Sequence, residues 1–178
     1  IVNTAIPAMA HHLNEDPLRM HSVVVAYVLS VAACIPLSGW LADRFGVRNI
    51  FLSAIVIFTL ASLGCGLSQS LNELLFFRVI QGIGGALLLP VGRLSLLKII
   101  PRTQFLAAMS LMSLAGLLGP LAGPTLGGWL VEVATWHWIF LINIPMGILG
   151  ILMTLKVMPN VKEPSVKTFD FGGVILLR

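Results

Sequence analysis

Residues 22–42, 50–68, 105–131 and 138–155 contain no charged side chain, and residues 74–92 contain only Arg78. A hydrocarbon layer of roughly 30 Å takes about 20 mainly apolar residues per helix, because a helix satisfies its own backbone where there is no water to do so. Such stretches in series predict an all-α polytopic membrane protein. A soluble single domain is excluded by 57% apolar and 10% charged residues over 178 positions, with a mean hydropathy of +0.98. Seven acids against 11 Lys and Arg leave +4, too small and too segregated along the chain for a nucleic-acid footprint. Cys34 and Cys65 lie inside apolar runs at no metal-ligand spacing, so they read as small hydrophobes. No stretch has the basic region and cleavage site of a signal peptide.

The ends read differently. Residues 1–10 are apolar but would reach only about 15 Å as a helix, half a membrane. They are expected to be the outer end of span 1, and residues 171–178 the start of span 7, so that the sequence reads as a fragment. Between them, residues 1–158 are expected to form one transmembrane bundle of spans 1–6, followed by a solvated linker rich in Pro, Lys and Glu over 159–170. Arg44, Arg48, Arg93, Lys98, Arg102, Lys156, Lys162 and Lys167 all fall on one side of this alternation, against Arg19 alone on the other. Lys and Arg accumulate in cytoplasmic loops, so the side holding Asp43 is expected to be cytoplasmic. The connection 43–49 is short enough to force an antiparallel hairpin of spans 2 and 3, with Gly46 ready to take the left-handed conformation at its turn. Residues 92–104 mix Leu94, Leu96 and Leu97 with cations, as a helical extension at the interface would.

Arg78 is the outstanding polar residue inside a span. An unpaired guanidinium in the bilayer costs several kcal/mol, so it should face a protein interior or a wet cavity; the alternative is that it snorkels to the outer interface. Gln81, Gly82 and Gly85 on or beside the same helical face favour the interior. In span 5, Gly119, Gly123 and Gly127 recur every four residues, with Gly116, Pro120, Pro124 and Gly128 in a row beside them. Such a face admits a neighbouring helix closely, and each proline removes a backbone hydrogen bond, which fits either plain packing or a hinge. His11 and His12 have no Cys or carboxylate at ligand spacing and read as solvated. Gly82-Ile-Gly84-Gly85 follows no strand and lacks the third glycine of a dinucleotide loop. No nucleophile and base pair is discernible, and no metal or cofactor is implied.

Gly39-Trp-Leu-Ala-Asp43-Arg44-Phe-Gly46-Val47-Arg48-Asn-Ile50 closely resembles the loop 2/3 signature of the major facilitator superfamily, GxLaDrxGrkxl, with Val47 in place of the first basic residue of the rk pair. Leu74-x-x-x-Arg78-x-x-Gln81-Gly82-x-Gly84 resembles its span 4 motif. Gly119-x-x-x-Gly123-Pro124-x-x-Gly127-Gly128 is similar to the antiporter motif of its exporters, with Ser110 where a more distant glycine usually begins it. Trp136-His137-Trp138-Ile-Phe140-x-x-Asn143-x-Pro145-x-Gly147 resembles the wRwiFxxNxPxG stretch of its fourteen-helix drug/proton antiporters, with His137 in place of Arg.

The resemblance implies a secondary transporter in a bacterial inner membrane, exporting small amphipathic or cationic compounds against inward proton flow as two bundles rock about a central site. Protons, a small-molecule substrate and the lipid bilayer are then its partners, with no cofactor beyond the proton gradient. An importer of the same fold is the alternative, and a membrane scaffold without transport a further one. By the same resemblance, Gly39, Asp43, Arg44, Gly46 and Arg48 form a gating loop. Asp43 would dock on a helix N-terminus of the other bundle, with Arg44 and Arg48 as its local ionic partners. Arg78, Gln81 and Gly82 would serve proton coupling; Gly119, Pro120, Gly123, Pro124, Gly127 and Gly128 would form the face packed on the opposite bundle. Asn143 and Pro145 belong to the span 6 motif.

Overall fold

The computed structural model describes residues 2–99 and 101–158, and among these there is no strand. Nine helices follow in order: α1 (Val2–Leu13), α2 (Pro17–Met20), α3 (Ser22–Cys34), α4 (Leu37–Phe45), α5 (Val47–Leu67), α6 (Leu71–Ile99), α7 (Arg102–Val133), α8 (Trp138–Leu141) and α9 (Asn143–Val157). Among the described residues, five helical spans are long and apolar enough to cross a membrane: Pro17–Cys34, Val47–Leu67, Leu71–Leu97, Thr103–Val133 and Trp138–Val157. The linker and the start of span 7 expected over 159–178 lie outside the described residues.

The uncharged run 22–42 is not one helix. Pro36 has no N–H to continue the ladder, so α3 closes at Cys34 and α4 restarts at Leu37. Ser38 repairs the break by donating both its backbone N–H, at 3.1 Å, and its Oγ, at 2.7 Å, to the Ile35 carbonyl. The membrane-length helix is therefore displaced toward the N-terminal side and begins at Pro17. There Asp16 caps it by accepting from the Leu18 N–H at 2.8 Å. Between α8 and α9 a single residue, Ile142, interrupts an otherwise continuous span, three residues before Pro145. Residues 92–99 and 102–104 are helical, as an extension would be: α6 runs on to Ile99 and α7 starts at Arg102, so two long helices meet near Pro101.

Gly46 turns the chain from α4 into α5 with φ 90° and ψ 139°. This is positive-φ backbone that glycine enters freely, although not the left-handed helical well expected from the sequence. The two helices pack against each other across this short connection.

α6 is the central element, in contact with both α3 and α5, while α9 packs on α5. Glycines set the closeness of both contacts. A Cβ on Gly82 would lie 2.6 Å from the Ser30 Cβ and 2.8 Å from the Tyr27 carbonyl on α3; one on Gly84 would lie 2.8 Å from the Phe58 nitrogen on α5. Without side chains at these positions the backbones approach as small-residue helix pairs do in membranes.

Two apolar clusters hold the bundle. One joins Ala5, Ile6, Met9 and Ala10 of α1 to Met20, Val23, Cys65, Leu71, Leu74, Trp136, Ile139 and Phe140. The other, at the end carrying Arg44 and Arg48, consists of Ala42, Val47, Ala54, Leu87 and Val91. Between them along α5 and α6 lie the buried polar residues Ser62, Arg78 and Gln81. A polar layer is thus enclosed by apolar layers above and below it.

Candidate functional site

Arg78 is 6% exposed and does not snorkel. Its Nε donates to the Val23 carbonyl of α3 at 3.1 Å, and its Nη1 donates to Gln81 Oε1, one turn along α6, at 2.7 Å. The guanidinium carbon stands 4.4 Å from the centre of the Tyr27 ring and 5.7 Å from that of Phe140. Hydrogen bonds to a charged group contribute about 1.5–3 kcal/mol each, and a desolvated cation–π contact up to about 2. Together these match the several kcal/mol that an arginine costs in a span. That balance keeps the charge inside although, among the described residues, no carboxylate lies within ion-pair distance of it.

Gln81, 1% exposed, passes the network on by donating from Nε2 to Ser62 Oγ of α5 at 2.6 Å. Asn143, at the start of α9, donates to the same hydroxyl at 3.4 Å. Arg78, Gln81 and Asn143 also line a cavity of about 250 Å³ with Val2, Tyr27, Phe58, Ile139 and Phe140. Five elements, α1, α3, α5, α6 and the α8–α9 span, thus converge on one small polar chamber. A larger cavity of about 500 Å³ opens between α3 and α6 toward the basic end, lined by Val31, Ile35, Gly85, Leu89, Pro90 and Arg93 among others. Arg93 and Leu89 also border a third, of about 280 Å³, between α6 and α7.

The residues of the loop 2/3 signature lie at that basic end, away from the chamber. Arg44 covers the rings of Trp40, at 5.2 Å, and Phe45, at 5.8 Å, and Arg48 donates to the Leu155 carbonyl at 2.8 Å. Asp43 is half-buried, while Gly39 is exposed with open space around it. The glycine face of α7 is only partly covered. Gly123 and Gly127 are buried where α7 meets its neighbours, but Cβ atoms on Gly116, Gly119 and Gly128 would touch nothing, and Pro120 and Pro124 are exposed. Among the described residues α7 meets α1, α6 and α8, which cover Gly123 and Gly127 and leave Gly116, Gly119 and Gly128 open. α7 stays helical through both prolines. Pro145 is exposed and stands apart from the network that Asn143 joins.

At the opposite end, His12 and His137 come together from distant parts of the sequence. Their ring centres are 5.3 Å apart, and His137 stacks on Trp136 at 3.8 Å. Burial, and next the His12 ring, hold the His137 imidazole below its ordinary value of 6.5. Trp136 in turn meets Phe140 edge-to-face at 6.3 Å, and Phe140 bounds the Arg78 chamber.

An arginine and glutamine one turn apart, inside a bundle whose helices approach at Gly82 and Gly84, are the parts of the span 4 motif in their expected setting. The sequence matches the Major Facilitator Superfamily over residues 1–174. The chain belongs to that family. It is a multi-pass integral membrane protein. It is 60% identical, over 177 residues, to proteins of Shigella flexneri serotype 5b, Escherichia fergusonii and Escherichia coli O6:H1 that carry the provisional name multidrug resistance protein MdtD. The alignment covers 99% of this chain, which spans 37% of the length of these curated relatives.

Two contributors to the chamber carried no signal in the motifs. Tyr27 is the one tyrosine of the chain, placed in an uncharged span, and that singularity was available to sequence reading. Ser62 sits in an unremarkable apolar run, and its role appears only when three helices are brought together.

Proposed function

We propose that this chain forms one bundle of a secondary transporter that exports small amphipathic or cationic compounds, driven by inward proton flow through alternating access. The observation that carries the reading is the Arg78 guanidinium, held inside the bundle by Val23, Gln81 and two rings at the wall of a cavity. A buried, fixed cation lowers the pKa of a carboxyl brought near it and gives up that influence when the carboxyl moves away. This is the property needed to tie protonation to a change of access. The name of the MdtD relatives supports drug export, and the surplus of Lys and Arg at the Arg44 end supports a cytoplasmic assignment for it.

Three further roles follow from this reading. Asp43 latches the cytoplasmic side by facing a helix N-terminus of the second bundle. The open face of α7, with Gly116, Gly119 and Gly128, receives that bundle. The cavity bordered by Arg93 forms part of the inward path. Transport needs no cofactor, and no step of it is enzymatic.

The test is uptake of dyes and metabolites into inverted vesicles bearing the protein as encoded in its genome, with and without a proton gradient. Accumulation that disappears with the gradient is the expected result. Gradient-independent equilibration, or none with any compound, would sink the reading.

A further inference from the structure

Ser62 belongs to none of the sequence motifs, yet it is fully buried at the point where α5, α6 and α9 meet. The direction of the bonds from Arg78 through Gln81 to Ser62 can be worked out from one fixed end. A guanidinium only donates, so the Gln81 atom at 2.7 Å from Arg78 Nη1 must be the carbonyl oxygen Oε1. The Gln81 amide nitrogen is then turned toward Ser62 and must donate, so the hydroxyl accepts at 2.6 Å. The second lone pair of that oxygen receives the Asn143 Nδ2 at 3.4 Å. Ser62 is thereby the acceptor for two side-chain amides from two different helices. The Asn143 side chain also lines the chamber.

We propose that Ser62 is the positioning residue of this site: its hydroxyl sets the orientation of the Gln81 and Asn143 amides and, through Gln81, holds the Arg78 guanidinium against Tyr27 at the cavity wall. Without that acceptor the Gln81 amide keeps only its bond to Arg78. Its side chain then swings more freely, and the guanidinium loses a fixed side-chain anchor. Nothing else in the chamber substitutes for it, because Gln81 has no other side-chain acceptor among the described residues. The Asn143 amide is released by the same change, so one hydroxyl governs polar groups on both α6 and α9.

The test measures modification of Arg78 by phenylglyoxal, read by mass spectrometry on the purified protein in lipid nanodiscs. Parent, Ser62→Ala and Ser62→Thr are compared, with thermal unfolding as the check on folding. Ser62→Ala is expected to speed modification of Arg78 at least threefold, and Ser62→Thr, which retains the hydroxyl, to stay near the parent rate. Should Ser62→Ala not fold, Ser62→Cys supplies the same contrast, being close in volume and a poor acceptor. An unchanged rate in a folded Ala or Cys variant overturns the proposal, as does equal acceleration by Ala and Thr, which would make volume and not hydrogen bonding the cause.

A second arm rests on the transporter reading. Ethidium efflux driven by a pH gradient is expected to show a displaced pH profile in Ser62→Ala and a restored one in Ser62→Thr. If the parent moves no ethidium, the transporter reading loses support while the labelling arm decides the proposal alone. If the parent transports and the profile of Ser62→Ala is unmoved, the positioning role fails and the transporter reading stands.

Discussion

Arg48 Nη2 donates to the carbonyl of Leu155 at 2.8 Å and so fastens the start of α5 to the last turn of α9. The bond satisfies a carbonyl in the last turn of the helix and puts a cation at the negative end of its dipole. Arg48→Ala is expected to lower the unfolding free energy by about 1 kcal/mol, the contribution of one charge-assisted bond near a surface. Arg48→Lys should recover part of the loss. Thermal unfolding in detergent checks this, and an Ala variant as stable as the parent would remove Arg48 as the fastening.

A latch at Asp43 makes a different prediction, about populations. Asp43→Asn removes an attraction of about 0.3–2 kcal/mol to a helix terminus and should move the transporter toward its inward-open state. A cysteine in place of Leu89, on the cavity between α3 and α6, should then react faster with a water-soluble maleimide. Equal labelling of latch variant and parent, both folded, speaks against the latch.

Replacing Arg78 separates charge from shape. An ammonium cannot reach the Val23 carbonyl and Gln81 Oε1 together from a planar fork while lying over Tyr27. Arg78→Lys should therefore lose about tenfold in efflux, and Arg78→Ala more, since Ala also leaves Gln81 Oε1 without its donor. A Lys variant that transports like the parent would show that charge alone suffices.

The glycines offer a paired test of packing against docking. Gly82→Ala puts a Cβ 2.6 Å from that of Ser30 and 2.8 Å from the Tyr27 carbonyl. An overpacking cost of about 1–3 kcal/mol is expected in thermal unfolding. Gly119→Leu meets open space. It should leave the stability of this bundle unchanged or slightly raised, and impair efflux if a second bundle closes on that face. Loss of bundle stability at Gly119 equal to that at Gly82 would contradict the open face.

These two sets of glycines also mark where sequence reading stops. Gly82 with Gly84 and Gly116 with Gly119 are alike as patterns of small residues in apolar helices, yet one pair is pressed between neighbours and the other faces none. A helix face shows in the sequence, but what stands opposite it does not. Uncharged length located the spans, because a charge in hydrocarbon is costly at any position, and the same cost drove Arg78 inward. The break at Pro36 was masked by the unbroken lack of charge from 22 to 42, since hydropathy is blind to the missing N–H. Ser62 was invisible for a geometric reason: its partners are 19 and 81 residues away.

Acid should loosen the end that carries His12 and His137. Burial and His12 depress the His137 pKa, so the unfolded chain binds this proton more readily than the folded one. Stability is therefore full above the ordinary histidine value of 6.5 and falls as pH drops through it toward the folded value. His137→Gln should flatten that part of the pH dependence, measured as the difference from the parent between pH 7.5 and pH 5. His12→Ala should flatten less, being the smaller cause. Parallel curves for parent and His137→Gln would place the titration elsewhere.

The apolar clusters above and below the polar layer make it an island. Among the described residues, the bundle's own axis is packed on both sides of the polar layer, by Leu74 and Phe140 on one side and by Ala54, Leu87 and Val91 on the other. A hydrated ion arriving from either face would have to shed its shell to reach Gln81 that way, at a cost far above thermal energy. The chamber around Arg78 is bounded by Val2, Tyr27 and Asn143 among others. In the proposed transporter, insulation along the axis with access from that flank would let a membrane hold its voltage while one charged group inside this bundle is visited and left.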